Sequence, residues 1–297
     1  MYAWSTHCSA HGENLVIIIS TRMMFAARVL NGCERVLAAA ARACLYTSAA
    51  LTPLEEMREG VVATWNDFIA DERDISHGLA WWERNVADRY LRAGDRVLVV
   101  GCGSGRDVFA FVERGCVVTG VDPAERALRR ARDYLDRQGR SALLEREFFE
   151  DWRCDLVFDV VWFSWFTYGY VPDSRRRVEM LKKAARNVSP GGVVVISYPT
   201  NPPRNRAAAV ARFAQRLWKR DWVLEEGDVI GRVQGTGLFT YEHRFTRPEI
   251  EKETRAAGFY PVLFAEPIVV LKPGAANDAM SARIRLDSRV DSLTVRP

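Results

Sequence analysis

The sequence predicts an α/β domain built on a largely parallel sheet. From residue 96 to residue 199, short runs of β-branched residues alternate with segments of helical spacing. Strands separated by helices form βαβ units with right-handed crossovers. The chain has 297 residues, 48% hydrophobic and 27% charged, which suits one sizeable core with or without extensions.

Apolar residues at helical spacing predict two helices ahead of the sheet, at 53–71 and 78–91. Gly115 then closes the helix after the first strand, and Pro123 falls in the first turn of the helix after the second. A further helix is predicted at 174–192, where a Pro-Gly-Gly sequence stops it. The five strands of this part are predicted at 96–101, 116–122, 145–151, 156–165 and 193–199.

The pattern changes after residue 199. Two strands around a Gly-rich turn predict a hairpin at 228–245. Thr246 and Glu249 have the spacing of a capping box and predict the start of a helix. Two short strands joined at Glu266-Pro267 follow, and they predict an antiparallel pair added to the parallel sheet.

A basic amphipathic helix is predicted at 201–222. We expect its apolar stripe to pack on the domain and its basic face to lie in solvent. An anionic small molecule, a membrane surface or RNA are alternative partners for the basic face. The stripe comprises Val210, Phe213, Ala214, Leu217 and Trp218, and the basic residues are Arg204, Arg206, Arg212, Arg216, Lys219 and Arg220.

Three regions are predicted along the chain. Residues 1–52 form an Ala-rich extension, interpreted as partly disordered or as a helix packed on the domain, with weak membrane-surface association as an alternative. The domain spans 53–272, and we expect the polar tail at 273–297 to be disordered. His7, Cys8 and His11 are close in sequence, but no further ligands lie nearby and we predict no metal site.

Composition narrows the class of protein further. The net charge of +4 is too small to imply nucleic acid by itself. Six cysteines show neither a CxxC pair nor zinc-ligand spacing, which favours a reducing cytoplasmic location. No apolar run approaches the roughly 18 residues of a membrane span.

A glycine-rich turn follows the first strand in "VLVVGCGSGRD", at residues 97–107. Such a turn between strand and helix lets a ligand approach the backbone at the carboxyl end of the sheet. A dinucleotide fingerprint would need G-x-G-x-x-G, and Arg106 stands where its last glycine would fall. A P-loop lysine is missing as well.

Acidic residues end the next two strands. Asp122 can accept hydrogen bonds from a ribose diol, or cap the helix that follows, or do both. Glu150 and Asp151 could receive an adenine amino group, or lie in an exposed turn. The fourth strand exits into the aromatic stretch "WFSWFTYGYVPD", which predicts either a ligand wall or core packing.

Three stretches, 97–124, 189–199 and 243–262, resemble motifs of the class I S-adenosylmethionine-dependent methyltransferases. The "GCGSGRD" form is similar to the small-molecule branch related to thiopurine-type enzymes, and the resemblance covers roughly residues 60 to 272. It implies a three-layer, Rossmann-like, doubly wound sheet of seven strands. The implied strand order is 3-2-1-4-5-7-6, with strand 7 antiparallel.

The resemblance also implies where S-adenosylmethionine would bind. The methionine side would meet the glycine loop, the ribose Asp122, and the adenine Glu150 or Asp151. Val99 departs from the family, because many members carry an acid there, and Asp107 is the candidate to replace it, or else a favourable charge at a helix N-terminus. The predicted cofactor residues are Gly101, Cys102, Gly103, Gly105, Asp107, Asp122, Pro123, Glu150, Asp151, Phe163 and Ser164.

Methyl transfer is an in-line displacement in which the protein mainly aligns the acceptor and excludes water. Where the acceptor carries a proton, Tyr168, Tyr170 or His243 are the predicted catalytic side chains, although His243 could simply be structural. We expect the acceptor pocket to come from Trp65, from the helix of Trp81, Trp82 and Glu83, and from an insert at 201–245.

The predicted function is methyl transfer from S-adenosylmethionine to a small-molecule acceptor. Nothing in the sequence resembles an NPPY-type amino-methyltransferase motif, so a nucleic-acid partner is disfavoured. An RNA- or protein-directed methyltransferase and a catalytically silent S-adenosylmethionine-binding module are the alternatives. The oligomeric state and the acceptor atom are not predicted.

Overall fold

The computed structural model describes residues 9–68, 72–218 and 220–274, with side chains from Met23 onward apart from Phe25. The side chains of His7, Cys8 and His11, and the predicted tail from residue 275, lie outside this part of the chain. The helices are α1 Ser9–Leu51, α2 Leu54–Asp67, α3 Glu72–His77, α4 Trp81–Tyr90, α5 Arg106–Val112, α6 Glu125–Arg137, α7 Ser174–Asn187, α8 Arg206–Leu217 and α9 Arg247–Ala256.

Seven strands form the main sheet, and two more form a separate hairpin. The sheet strands are β1 Arg96–Val100, β2 Val117–Val121, β3 Leu143–Glu145, β4 Phe158–Phe163, β5 Val188–Ser197, β8 Phe259–Ala265 and β9 Ile268–Pro273. The hairpin consists of β6 Asp228–Arg232 and β7 Phe239–His243.

The sheet order is β3-β2-β1-β4-β5-β9-β8, and β9 runs antiparallel to both of its neighbours. Because the hairpin stands apart, β8 and β9 are the sixth and seventh strands of the sheet. The predicted fold class and strand order are therefore confirmed.

Helices cover both faces of the sheet. Side chains of a strand alternate between faces, and β1 shows this directly. Leu98 and Val100 belong to one buried cluster with α7, while Val97 and Val99 belong to another with α5, and all four are at most 2% exposed. This double burial gives the three-layer architecture.

Two predicted elements have different bounds in the structure. The third strand is Leu143–Glu145, earlier than the predicted 145–151, because the backbone of Leu143 pairs with Thr119 and the ladder stops two residues later. Phe149 belongs to the core from a loop position. The helix predicted at 174–192 ends at Asn187, and β5 begins at the next residue, ahead of the glycines.

The end of α1 packs with α2, α8 and the hairpin in a third hydrophobic cluster. Tyr46 and Ala49 of α1 are buried in it beside Met57 of α2. The Tyr46 hydroxyl donates to the Asp228 carbonyl at 3.1 Å and accepts from the Ile230 N–H at 3.2 Å. The end of the predicted extension at 1–52 thus packs against residues of the predicted domain at 53–272.

Helix α8 packs in the opposite orientation to the prediction. Its buried face is small, formed by Ala207, Ala208 and Ala211. Gln215 completes that face and donates to the Ala50 carbonyl of α1 at 2.9 Å. Alanines let the two helices approach closely, so the large apolar side chains point outward. This exposed set, called the α8 stripe below, is Val210, Phe213, Leu217 and Trp218.

In the part of the chain that the structure describes, no helix is long and apolar enough to cross a membrane.

Candidate active site

A cavity of about 730 Å³ lies between the carboxyl ends of the sheet strands and the helices that cover them. This volume falls within the range of small-molecule sites, roughly 300–1,000 Å³. The sheet side is lined by the loops after β1, β2, β3 and β4 and by α7. The covering side is lined by α2, α3 and the start of α4, including Leu54, Arg58, Val61, Val62, Trp65, Phe68, His77 and Trp81.

The glycine loop after β1 forms the floor of this cavity. Gly101 has φ +71°, and a Cβ there would lie 2.0 Å from the Thr167 Oγ1. Gly103 has φ +48° and no atom within 4 Å of its Cβ position, so this backbone is open to a ligand. Cys102 also lines the cavity, and burial raises the pKa of its thiol well above the ordinary value. The loop therefore combines an open backbone with a neutral thiol.

Asp122 lies at the end of β2 and binds the glycine loop directly. One of its carboxylate oxygens accepts from the Gly103 N–H at 2.8 Å, and the other accepts from the Ala124 N–H at 2.8 Å. Burial raises the pKa of Asp122 to about 6, although both backbone hydrogen bonds oppose the shift. Each oxygen has a second lone pair for a further donor. Asp122 can therefore cap the following helix and still accept a hydrogen bond from a ribose hydroxyl.

Three of the predicted cofactor residues do not line the cavity. A Cβ at Gly105 would lie 2.8 Å from the Ala131 Cβ, so this glycine serves the contact between the loop and α6. Phe163 points into the core between the sheet and α7, fully buried. Asp107 is also fully buried, against Arg106. The other predicted cofactor residues, Gly101, Cys102, Gly103, Asp122, Pro123, Glu150, Asp151 and Ser164, all line it.

Glu83, Arg106 and Asp107 form a buried charge cluster that joins α4 to the start of α5. The Arg106 guanidinium contacts Glu83 at 2.6 Å and Asp107 at 2.5 Å. Burial and the neighbouring Asp107 raise the pKa of Glu83 to about 7, against the opposing effect of Arg106. The second oxygen of Asp107 has no hydrogen-bond partner among the described residues. Arg106 lines the cavity, so the cluster reaches it through this side chain.

On the far side of the glycine loop, α2 is tied to the loop after β3. Arg58 bonds to Asp151 at 2.5 Å, and its guanidinium stacks 3.7 Å from the centre of the Phe148 ring. Asp151 is exposed and Glu150 is half-buried, and both border the cavity. The predicted adenine-side carboxylates thus face the cavity, and one of them already has a cationic partner.

The aromatic loop after β4 forms a further wall. Trp165 and Phe166 have φ values of +35° and +64°, in a region that favours glycine. Strained backbone of this kind costs of order 1–3 kcal/mol and clusters at functional sites. Trp165 lies under the Arg106 guanidinium at 4.4 Å and stacks on Trp82 with the ring centres 6.5 Å apart. The loop is therefore braced against α4 and α5.

Tyr168 does not reach the cavity, contrary to its predicted role. Its hydroxyl donates to Glu253 at 2.6 Å, and Arg177 binds the same carboxylate at 2.7 Å. Arg177 also contacts Glu225 at 2.6 Å. Burial raises the pKa of Tyr168 well above its ordinary value. Its environment is a buried ion-pair network that holds α7 against α9.

His243 is likewise placed away from the cavity. Its Nδ1 lies 2.6 Å from Asp228, which also accepts from the Tyr241 hydroxyl at 2.7 Å. Glu225, Asp228 and His243 bring potential metal-ligand atoms within 4.8 Å of one another, but protein partners occupy the carboxylate of Asp228. The structural reading of His243 is the one that fits its surroundings.

Tyr170 is the predicted catalytic residue that lines the cavity. Its hydroxyl donates to Glu242 at 3.4 Å, and its ring meets Trp65 edge-on at 5.2 Å. Burial raises the pKa of Tyr170, so the hydroxyl stays protonated and can only be a hydrogen-bonding group at neutral pH.

Some of the residues predicted for the acceptor side line the cavity. Trp65 and Trp81 line the cavity, whereas Trp82 and Glu83 lie behind it. No described residue of the insert at 201–245 reaches the cavity. The insert supports α2 from behind, where Gly60 allows close contact with the Phe239 carbonyl of β7.

Several cavity residues were not predicted, among them Arg58 and His77. Arg58 shares the helical stripe of Leu54, Val61 and Trp65, and an arginine within an apolar stripe was the available signal. His77 lies at the end of the short helix α3, whose following Gly78 packs on Ala110 of α5. No sequence pattern marked His77.

Comparison with known proteins agrees with this architecture. Residues 97–192 match the family model described as "Methyltransferase domain". A "Cypemycin N-terminal methyltransferase" from Streptomyces sp is 28% identical over 208 residues, covering 65% of this chain and 82% of that protein. A "Ubiquinone biosynthesis O-methyltransferase" from Thiobacillus denitrificans is 33% identical over 147 residues, covering 43% of this chain and 61% of that one, less than two thirds of its length.

Solved structures show the same fold. A S-adenosylmethionine-dependent methyltransferase from Clostridium acetobutylicum aligns with a TM-score of 0.50 at 15% identity, covering 69% of this chain and 93% of that chain. The family match over residues 97–192 and the sheet order make this chain similar to the class I S-adenosylmethionine-dependent methyltransferases. The residues present fit the cofactor of that class, because Gly103 leaves open backbone beside the buried carboxylate of Asp122.

Proposed function

We propose that the protein transfers a methyl group from S-adenosylmethionine to a small-molecule acceptor bound under α2 and α3. The observation that carries this proposal is one cavity with two unlike walls. The glycine loop and Asp122 lie on one side, and the largely apolar surface of Val61, Val62 and Trp65 lies on the other. The names of relatives that act in ubiquinone biosynthesis and on demethylrifamycin support a small acceptor.

In this proposal the cofactor lies along the carboxyl ends of β1, β2 and β3. Asp122 accepts from the ribose hydroxyls with its remaining lone pairs. Glu150 and Asp151 border the adenine, with Arg58 holding Asp151 in place. Ser164, which is buried at the exit of β4, flanks the sulfur side.

The charge cluster takes the place of the missing acid at Val99. Val99 is fully buried in the apolar cluster under α5 and offers no polar atom to a ligand. When Glu83 is ionised, two carboxylates face one guanidinium, which leaves a net negative charge beside the glycine loop. The negative charge of the cluster would attract a methionine ammonium, while the Arg106 side chain, which lines the cavity, would meet the methionine carboxylate.

S-adenosylmethionine supplies an electrophilic methyl group, so the acceptor atom forms a bond to carbon as the bond from sulfur breaks. Trp65, Phe68 and Trp81, which line the covering side, would align the acceptor. Where the acceptor loses a proton, His77 is the proposed base, because it is the cavity-lining histidine among the described residues.

Titration calorimetry with S-adenosylmethionine tests the cofactor site. Asp122→Ala should weaken binding by at least about 100-fold, since one hydrogen bond to a charged group contributes roughly 1.5–3 kcal/mol. Asp133→Ala, on the exposed side of α6, is the matched control and should leave binding unchanged. Full binding by Asp122→Ala combined with Gly103→Asp would refute the proposed site.

A second acceptor class is a peptide amino terminus. It is favoured by the relative named for the N-terminus of cypemycin, of which the alignment covers 82%. Product formation from labelled S-adenosylmethionine, with phenols, amines and short peptides offered in parallel, distinguishes the two classes. Turnover with peptides alone would replace the small-molecule proposal.

A further inference from the structure

The α8 stripe is a large apolar surface that methyl transfer does not use. Val210, Phe213, Leu217 and Trp218 are 57%, 66%, 66% and 57% exposed. None of them lines the cavity. Single exposed apolar side chains are ordinary, but a contiguous patch of them marks an interaction site.

The stripe is not a by-product of packing an ordinary amphipathic helix. An amphipathic helix normally buries its large apolar face. Here Ala207, Ala208 and Ala211 are buried instead, and Val210, Phe213 and Leu217 fall at i, i+3 and i+7 on the opposite face. The fold thus presents the larger apolar side chains to solvent.

Charge around the stripe has one sign. Residues 201–220 contain no Asp or Glu, and they contain Arg204, Arg206, Arg212, Arg216, Lys219 and Arg220. Arg206 and Arg216 are both exposed on the same helix as the stripe. A helix with Phe, Leu and Trp on one side, basic residues beside them and no acids is typical of helices that lie in a membrane interface.

Helix α1, which packs on the alanine face of α8, has exposed residues of similar character. Arg28, Arg35 and Arg42 recur every seven residues and so lie on one side of α1, with Glu34 the single acid between residues 23 and 51. Leu30 and Leu37 are 68% and 69% exposed. The two neighbouring helices therefore share an exposed apolar and cationic character.

We propose that the α8 stripe and the exposed part of α1 dock on the surface of an anionic lipid bilayer. The arginines would meet the headgroups, and Phe213, Leu217 and Trp218 would enter the boundary of the acyl chains. A second copy of the chain fits less well, because a symmetric contact would set arginine against arginine. RNA would pair with the charges but would leave the stripe exposed.

Co-sedimentation of the full chain with phosphatidylglycerol vesicles, and in parallel with phosphatidylcholine vesicles, tests this surface. The protein should partition onto the anionic vesicles, and partitioning should fall as salt is added. Phe213→Ser with Leu217→Ser should lower the partition coefficient by about 100-fold. Arg206→Gln with Arg216→Gln should lower it roughly 30-fold.

Val117→Ser with Leu143→Ser is the matched control. These two apolar side chains lie at the starts of β2 and β3 and are 63% and 54% exposed. This control should bind vesicles as the unaltered protein does. All variants should keep their affinity for S-adenosylmethionine, which shows that the fold is intact. Failure of the unaltered protein to bind either vesicle would overturn the proposal without relying on any variant.

Two other results would also overturn it. Concentration-dependent dimerisation that is lost in the Phe213→Ser, Leu217→Ser variant, without vesicle binding, would assign the surface to a second copy. Salt-sensitive binding of RNA that is unchanged in that variant, without vesicle binding, would assign it to nucleic acid.

Discussion

The sheet side and the covering side of the cavity, here called the sheet wall and the covering wall, differ in how their polar groups are held in place. On the sheet wall, Gly103 and Asp122 are joined through a backbone N–H, and the loop conformation follows from positive φ at Gly101 and Gly103. On the covering wall, Arg58 and Trp65 project from a helix and are placed by side-chain packing. The first wall is thus set by local backbone geometry and the second by tertiary contacts, which suits a common cofactor and a variable acceptor.

The cluster of Glu83, Arg106 and Asp107 joins the two walls, so its loss should have the largest effect. Arg106→Gln leaves two buried carboxylates without a cation, which costs about 3–5 kcal/mol. We expect that decrease in the free energy of unfolding in urea titrations. Arg129→Gln, on an exposed i,i+4 pair, should cost under about 1 kcal/mol. A small decrease in the free energy of unfolding for Arg106→Gln would mean that other contacts join the two walls.

Gly60→Ala should disturb the covering wall alone. A Cβ at Gly60 would lie 1.8 Å from the Phe239 carbonyl oxygen, so α2 must move away from the hairpin. We expect a stability loss of about 1–3 kcal/mol from overpacking. Gly32→Ala, in an open part of α1, should instead stabilise slightly through helix propensity. Equal thermal stability of the two variants would contradict the packing of α2 on β7.

Trp65→Ala should separate acceptor binding from cofactor binding. Removing this half-buried aromatic side chain should raise the acceptor KM roughly tenfold, at a cost of about 1.5 kcal/mol. The dissociation constant for S-adenosylmethionine should stay the same, because Trp65 belongs to the covering wall. Trp218→Ala, away from the cavity, is the matched aromatic control. If the affinity for S-adenosylmethionine falls while the acceptor KM rises, Trp65 contributes to both sites and the two walls are not independent.

The smallest expected effect is a pH dependence of cofactor affinity. The pKa values of Asp122 and Glu83 are raised to about 6 and about 7, mainly by burial. Both must be ionised in the proposed complex, so the affinity should fall severalfold as the pH drops through this window. Stability should move the other way, because a carboxyl with a raised pKa in the folded state binds more protons than in the unfolded chain. Calorimetry across the window checks this, and Asp122→Asn should lose the lower transition.

Much of the sheet wall could be predicted because its determinants are close in sequence. The β-branched run before Gly101, and Asp122 directly after the second strand, predict a cavity floor once the strands are parallel. The strand order followed from the resemblance of three stretches, and the structure has it.

Other residues depend on which neighbour the tertiary structure brings to them. Gly105 faces Ala131 of α6, not a ligand, and Tyr168 meets Glu253, 85 residues away in the chain. His243 meets Asp228, 15 residues away, across the hairpin. A residue type by itself does not specify such partners, because the fold brings them together.

The sequence by itself determined the parallel sheet, the glycine turn and the acid after β2, since periodicity and backbone preference act over a few residues. Only the tertiary structure decided the orientation of α8, because either face of that helix is apolar enough to be buried and close packing against α1 selected the alanines. It also decided that Arg58 and Arg106 border the cavity, since burial of a charge depends on the partner that compensates it.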